Sequence, residues 1–139
     1  MSGNVRNFLD TNILIYAYSD DPRESVARSL VEAGGAISVQ CLNEFVNVAR
    51  GRLQLSWAFV EERISSIREL IPTICAIDAE THDEARRLAE RYAMHIYDAT
   101  IVASALQSGC EVLMTEDMQD GLLIDGRLRI ENPFRTHRA

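Results

Sequence analysis

Apolar and polar positions alternate in blocks along the chain, and the blocks read as short strands separated by helices. The first apolar pair, Phe8-Leu9, is entered from Val5 and followed at once by Asp10-Thr11-Asn12, a strand that ends in a turn. Ile13 to Tyr18 then reads as a short buried helix. Asp21-Pro22-Arg23-Glu24 has the form of a helix start, with Asp21 as cap, Pro22 at the first helical position and Glu24 at capping-box spacing. Val26, Ala27, Leu30 and Val31 give that helix an apolar face, and Gly34-Gly35 ends it. Ala36 to Val39 is a strand. Leu42, Phe45, Val46, Ala49 and Leu53 recur at helical spacing, with Gly51 as the break. Ser56 caps the next helix, whose stripe is Val60, Ile64, Ile67 and Ile71, and Pro72 stops it. Thr73 to Ile77 is a strand. Asp78 caps a helix with Ala85, Leu88, Ala89, Tyr92 and Ala93 inward and mixed charges outward. Asp98 opens a run, Ala99 to Leu106, that is apolar nearly all round and so predicts a buried helix. Val112 to Thr115 is the next strand, and Leu128 to Ile130 a last one.

This alternation predicts an α/β fold with a mostly parallel sheet and helices on both faces. At 139 residues the chain is expected to form a single domain, residues 1–139, with a loose tail from Pro133 to Ala139. No apolar run approaches the ~18 residues of a membrane span, and Met1 to Leu9 lacks the apolar core of a signal peptide. Cys41, Cys75 and Cys110 are widely spaced and form no C-x-x-C pair. They read as buried small hydrophobes in a reducing compartment, so the expected location is cytoplasmic.

Charge narrows the chemistry. Twenty-one acids against fourteen bases give a net charge of −7, which argues against a nonspecific duplex binder with its basic stripe. Every base is arginine; the chain has no lysine. Schiff-base catalysis and P-loop phosphate binding are therefore excluded. The same absence disfavours a phosphoryl-aspartate protein, whether receiver domain or haloacid-dehalogenase-like phosphatase, because both use a lysine on the phosphate. His82, His95 and His137 are scattered, with no H-x-x-x-H pair to seed a zinc site.

Acids sit where an open parallel sheet places its ligands, at the carboxyl ends of the strands. Asp10 ends the first strand, Asp117 follows the strand Val112 to Thr115, Asp98 begins the buried helix that leads into that strand, and Glu44 lies on the helix after Ala36 to Val39. If they converge, they repel: two charges about 4 Å apart cost about 4 kcal/mol at an effective dielectric of about 20. A divalent cation is the natural partner, and oxygen-only ligands suit Mg²⁺ or Mn²⁺ rather than zinc. Such a cation keeps bound water that can attack a phosphodiester. Each acid also has a plainer reading. Asp10 and Asp98 can be helix caps, Glu44 a solvated helix residue, and Asp117 and Asp120 turn residues before Gly121.

Leu9-Asp10-Thr11-Asn12, Asn43-Glu44-Phe45, Tyr97-Asp98-Ala99 and Thr115-Glu116-Asp117 occur in that order. The set resembles the PIN domain, a family of metal-dependent ribonucleases, and the short length looks most like the VapC toxins of toxin–antitoxin pairs. The resemblance runs from about Phe8 to Pro133. It implies a three-layer α/β/α sandwich, with Mg²⁺ or Mn²⁺ bound most directly by Asp10 and Asp98. Glu44 and Asp117 would complete the pocket, Thr115 would be the hydroxyl of the fourth motif, and Asn12 would position the first carboxylate or a water. The implied reaction is hydrolysis of single-stranded or loop RNA. A small antitoxin and a homodimer are the implied partners. A noncatalytic PIN-like interaction module and a housekeeping PIN nuclease without an antitoxin are the alternatives. Arg50 and Arg52, just after the Glu44 helix, could clamp an RNA phosphate, or pair with surface acids. Trp57 and Phe59 read as core packing, with a dimer or antitoxin groove as the other possibility. Asp120 has no assigned role.

Overall fold

In the computed structural model, which describes residues 6–135, six strands share one sheet in the order β3-β2-β1-β4-β6-β5. They are β1 (Asn7–Leu9), β2 (Ala36–Ser38), β3 (Thr73–Cys75), β4 (Val112–Met114), β5 (Leu123–Ile124) and β6 (Leu128–Glu131). All neighbours pair in parallel except β5 and β6, which form an antiparallel edge. Four helices, α1 (Thr11–Ala17), α2 (Glu24–Ala33), α3 (Val39–Arg50) and α4 (Trp57–Leu70), connect β1 to β2 and β2 to β3, and they pack on one another. The chain then returns across the sheet from β3 to β4 through α5 (Ala79–Tyr92) and α6 (Ile96–Gln107), which pack together. Right-handed crossovers that step outward and then return put the two helix groups on opposite faces. The result is a three-layer α/β/α sandwich.

The core follows the predicted pattern where apolar spacing is regular. Phe8, Leu9, Ile37 and Leu113 are fully buried between the layers. Helix α6 is buried almost all round from Ala99 to Leu106, because it lies under α5 against β2 and β4. Ser56 and Asp78 cap α4 and α5 as expected, Asp78 within a capping box completed by Thr81. Gly34 and Gly35 leave α2 with φ of +88° and +125°; a Cβ on Gly35 would stand 2.4 Å from the Asn7 carbonyl oxygen, so β2 reaches β1 only with glycine there.

Several boundaries differ from the sequence reading, each for a local reason. Helix α2 starts at Glu24 without a side-chain cap, because the Asp21 carboxylate is bound by the Arg23 backbone and guanidinium instead. Val26 is exposed rather than inward. Strand β2 stops at Ser38, whose hydroxyl caps α3, so Val39 is the first helical residue and faces solvent. Leu53 lies beyond the break at Gly51 and is exposed. Ala93 is not inward; it is exposed in the left-handed conformation that ends α5. The α6 cap is the His95 side chain, not Asp98. Trp57 and Phe59 are 57% and 45% exposed, against the expectation of core packing, and lie under the guanidinium groups of Arg50 and Arg63. The two-residue strand β5 carries too little pattern to predict. The tail expected from Pro133 is anchored at its start: the Phe134 ring packs edge-on against Tyr16 at 5.2 Å, and residues 136–139 lie outside the described residues. Asp120 gains a role here, accepting from the Asn132 N–H at 2.8 Å and from Arg135 at 3.2 Å, which ties the β4–β5 loop to the segment after β6.

Candidate active site

The chain leaves β1 toward β2 and β3 on one side and later returns to β4 on the other. That reversal opens a crevice at the carboxyl ends of the central strands, where open α/β sheets bind ligands. Asp10 follows β1 directly. Thr115 and Asp117 follow β4. Glu44 is the sixth of twelve residues of α3. Asp98 is in the first turn of α6, whose N-terminus faces the same crevice because the helix runs antiparallel to the strand it precedes. Asp10, Glu44, Asp98 and Asp117 all line one cleft of about 430 Å³.

Neutral donors fix the positions of these acids. Asp10 is buried and caps α1, its Oδ1 accepting from the Thr11 N–H at 2.6 Å. Its Oδ2 accepts from the Thr115 hydroxyl at 2.7 Å. Thr115 is fully buried, and its Oγ1 also accepts from the Asp117 N–H at 3.1 Å, so one hydroxyl couples two of the acids. The Thr11 hydroxyl donates to Glu44 Oε1 at 2.5 Å, and Gln40 donates to Oε2 at 3.2 Å. Asn12 holds Asp117, donating from Nδ2 to Oδ2 at 3.0 Å. Of the two roles expected for Asn12, positioning the first carboxylate or a water, the structure shows no hydrogen bond to Asp10; the amide is held on Asp117 instead.

Burial pushes the Asp10 carboxyl up to about 6; the hydrogen bonds from Thr115 and Thr11 work against it, and the charges of Asp117 and Glu44 add to it. The half-buried Asp98 is raised too, by desolvation first and then by Asp117, with His95 opposing. Asp10 and Asp98 therefore both feel the charges of Asp117 and Glu44. As they stand, no three Asp, Glu, His or Cys side chains among the described residues are close enough together to hold a metal ion. The donor set nevertheless fits a hard divalent ion. Every candidate ligand atom is an oxygen, and the Asn12 Oδ1 is buried without a hydrogen-bond partner.

Arg52 lines the cleft, whereas Arg50 does not. Arg50 donates to the Leu55 carbonyl at 2.9 Å and stacks over Trp57, which removes it from the site. Three groups were missed from sequence. Thr11 bridges Asp10 and Glu44. Glu116 lines the cleft and is fixed by the Tyr16 hydroxyl at 2.6 Å and by Arg23 at 2.6 Å, with the Arg23 guanidinium 4.1 Å from the Tyr16 ring centre. Tyr97 stands at the rim, 65% exposed. Helical spacing was the available signal only for Tyr16, the donor that fixes Glu116: it lies four residues after Asn12 on one face of α1.

A PIN domain model matches residues 8–119, a span that includes all four acids. No curated protein matches the chain by sequence. Among solved structures, the chain is similar to one in a toxin–antitoxin complex from Klebsiella pneumoniae, at 26% identity and a TM-score of 0.70, covering 94% of this chain and 99% of that one. It also resembles a chain in DNA-bound VapBC from Salmonella typhimurium, at 23% identity and a TM-score of 0.62, with coverage of 94% and 99%. The sarcin–ricin-loop-cleaving toxin VapC20 of Mycobacterium tuberculosis shares the fold at 18% identity and a TM-score of 0.63, over 77% of this chain and 86% of that one.

Proposed function

The chain belongs to the PIN domain family, and on that footing we propose that it is a metal-dependent endoribonuclease, the toxin of a toxin–antitoxin pair. The observation that carries the reading is the single cleft shared by Asp10, Glu44, Asp98 and Asp117 at the carboxyl ends of the central strands. The full-length similarity to a chain of a toxin–antitoxin complex supports the toxin role.

The four acids are the residues that would hold Mg²⁺ or Mn²⁺, with Asp10 and Asp98 nearest the centre of the assignment. The cation, when bound, would shield the charge of a phosphodiester and lower the pKa of a bound water toward neutrality. The chain's own contribution is placement. Thr115 sets the Asp10 carboxylate and the Asp117 backbone N–H, Thr11 sets Glu44, and Asn12 sets the Asp117 carboxylate. Arg52 at the cleft edge is suited to a substrate phosphate. The substrate is single-stranded or loop RNA, whose strand can enter an open cleft that a rigid duplex would bridge. The exposed Trp57 and Phe59 give a small antitoxin or a second copy an apolar contact. The expected setting is the cytoplasm; among the described residues no helix is long and apolar enough to cross a membrane.

Induced expression in a bacterial host tests the toxin role. Wild type should arrest growth, and Asp98→Asn, which removes the charge but keeps the side-chain size, should relieve the arrest at equal protein level. Harmless wild-type expression would overturn the toxin assignment.

A further inference from the structure

Tyr97 is the most exposed large apolar side chain among the described residues, yet it lines the cleft that holds Asp10, Glu44, Asp98, Glu116 and Asp117. Nothing in the arrangement of the acids uses it. Its ring stacks on His95 with centroids 5.3 Å apart and planes 23° apart. His95 is itself held: its Nδ1 accepts the Tyr97 N–H at 3.2 Å and caps α6. The imidazole is therefore fixed by the helix start, and the phenol is fixed by the imidazole beneath it. An aromatic ring normally loses rotamer freedom when a ligand lands on it; here much of that cost is met in the free protein, with the outer ring face open to solvent.

We propose that the Tyr97–His95 pair is a stacking platform for one unpaired nucleobase of the RNA strand that crosses the cleft. This rests on the reading of the cleft as a nuclease site. Tyr97 directly precedes Asp98, and consecutive Cα atoms are about 3.8 Å apart. A base on the ring would thus belong to a nucleotide at or beside the phosphate held near Asp98. Arg52, which lines the same cleft, supplies a cation for the backbone. The pairing of an aromatic face with a cationic edge is how proteins grip single strands. It also answers the charge problem: in a chain of net charge −7, base stacking supplies affinity that phosphate contacts alone would not. A base still paired in a duplex has no free face to offer, so the platform selects unpaired RNA.

Two arms test this. In the first, Trp57→Phe removes the chain's one tryptophan and Tyr97→Trp places a new one on the platform. The emission of this double variant should be quenched by an unstructured oligouridylate in Ca²⁺, and not by an RNA duplex of the same length. In the second, kcat/KM for a single-stranded RNA should stay within about threefold of wild type in Tyr97→Phe. It should fall roughly 5- to 150-fold in Tyr97→Leu and Tyr97→Ala, the range for losing one base–aromatic stack, with the melting temperature unchanged. An abasic nucleotide at one position beside the cut should impair wild type by a similar factor and leave Tyr97→Ala no worse. Quenching without any cleavage would keep the platform and overturn the nuclease reading. Cleavage without quenching, or with Tyr97→Leu as active as wild type, would overturn the platform. Silence in both arms would overturn both and leave the exposed ring to a protein partner.

Discussion

Neutralising Asp10 should change how the metal-free protein responds to pH. The folded-state carboxyl lies at about 6 against an ordinary value of 3.8. A carboxyl raised in the folded state favours folding at low pH, where both states are protonated, and that advantage is lost as pH rises through the folded value. The window is therefore from about pH 4 to just above 6, with stability falling as pH rises. The gap corresponds to about 3 kcal/mol at about 1.4 kcal/mol per pH unit, and Asp98, also raised, acts in the same direction. Acids that are lowered in the fold, such as Asp21, Asp78 and Asp125, act below this window and with opposite sign. Asp10→Asn keeps a cap residue at the start of α1 while removing the titration. Urea unfolding of both proteins in metal-free buffers at pH 4.5, 5.5, 6.5 and 7.5 isolates the effect, because groups common to both cancel in the difference. The variant should gain on wild type by about 2 kcal/mol between the ends of the series, the first ~1 kcal/mol being already lost at pH 4.5. A difference independent of pH would refute the argument that Asp10 is held as a desolvated, uncompensated acid.

Added Mg²⁺ should stabilise wild type by about 2.7 kcal/mol at a hundredfold excess over Kd and Asp98→Asn by much less; equal shifts in thermal melts would remove Asp98 from the ligand set. Thr115→Val strands a buried Asp10 oxygen and the Asp117 N–H together, so stability should fall by about 1–3 kcal/mol. Mg²⁺ affinity in the same variant should fall roughly 10- to 100-fold, read by calorimetric titration; unchanged affinity would make Thr115 structural only.

Five of the six strands and the acids were legible because they obey strong local rules. Phe8-Leu9 before Asp10 reads as a strand end because apolar pattern stops where a cap residue begins, and the structure places Asp10 there, doing both jobs open to it in the sequence: capping α1 and facing the cleft. What stayed hidden depends on contacts far apart in sequence. Asn12 reaches Asp117 across 105 positions, and Arg23 reaches Glu116 across 93; no local pattern encodes either. Asp21 satisfies every rule for a helix cap, yet its carboxylate is claimed by Arg23, itself held in place by Glu116 and Tyr16. The exposure of Trp57 and Phe59 is not legible either, because a large aromatic at a helix start looks the same whether it packs inward or faces solvent. The role of Tyr97 is not legible in Tyr97-Asp98-Ala99, since its exposure is a property of the fold and not of the tripeptide.

The most direct test of the account is cleavage of a defined single-stranded RNA by the purified protein, with Asp10→Asn and Asp98→Asn purified in parallel. The account predicts cutting in Mg²⁺ or Mn²⁺, none in EDTA, and loss in both variants under every condition. Cutting that persists undiminished in EDTA, or in either variant, would contradict the claim that these acids form a metal-dependent nuclease site.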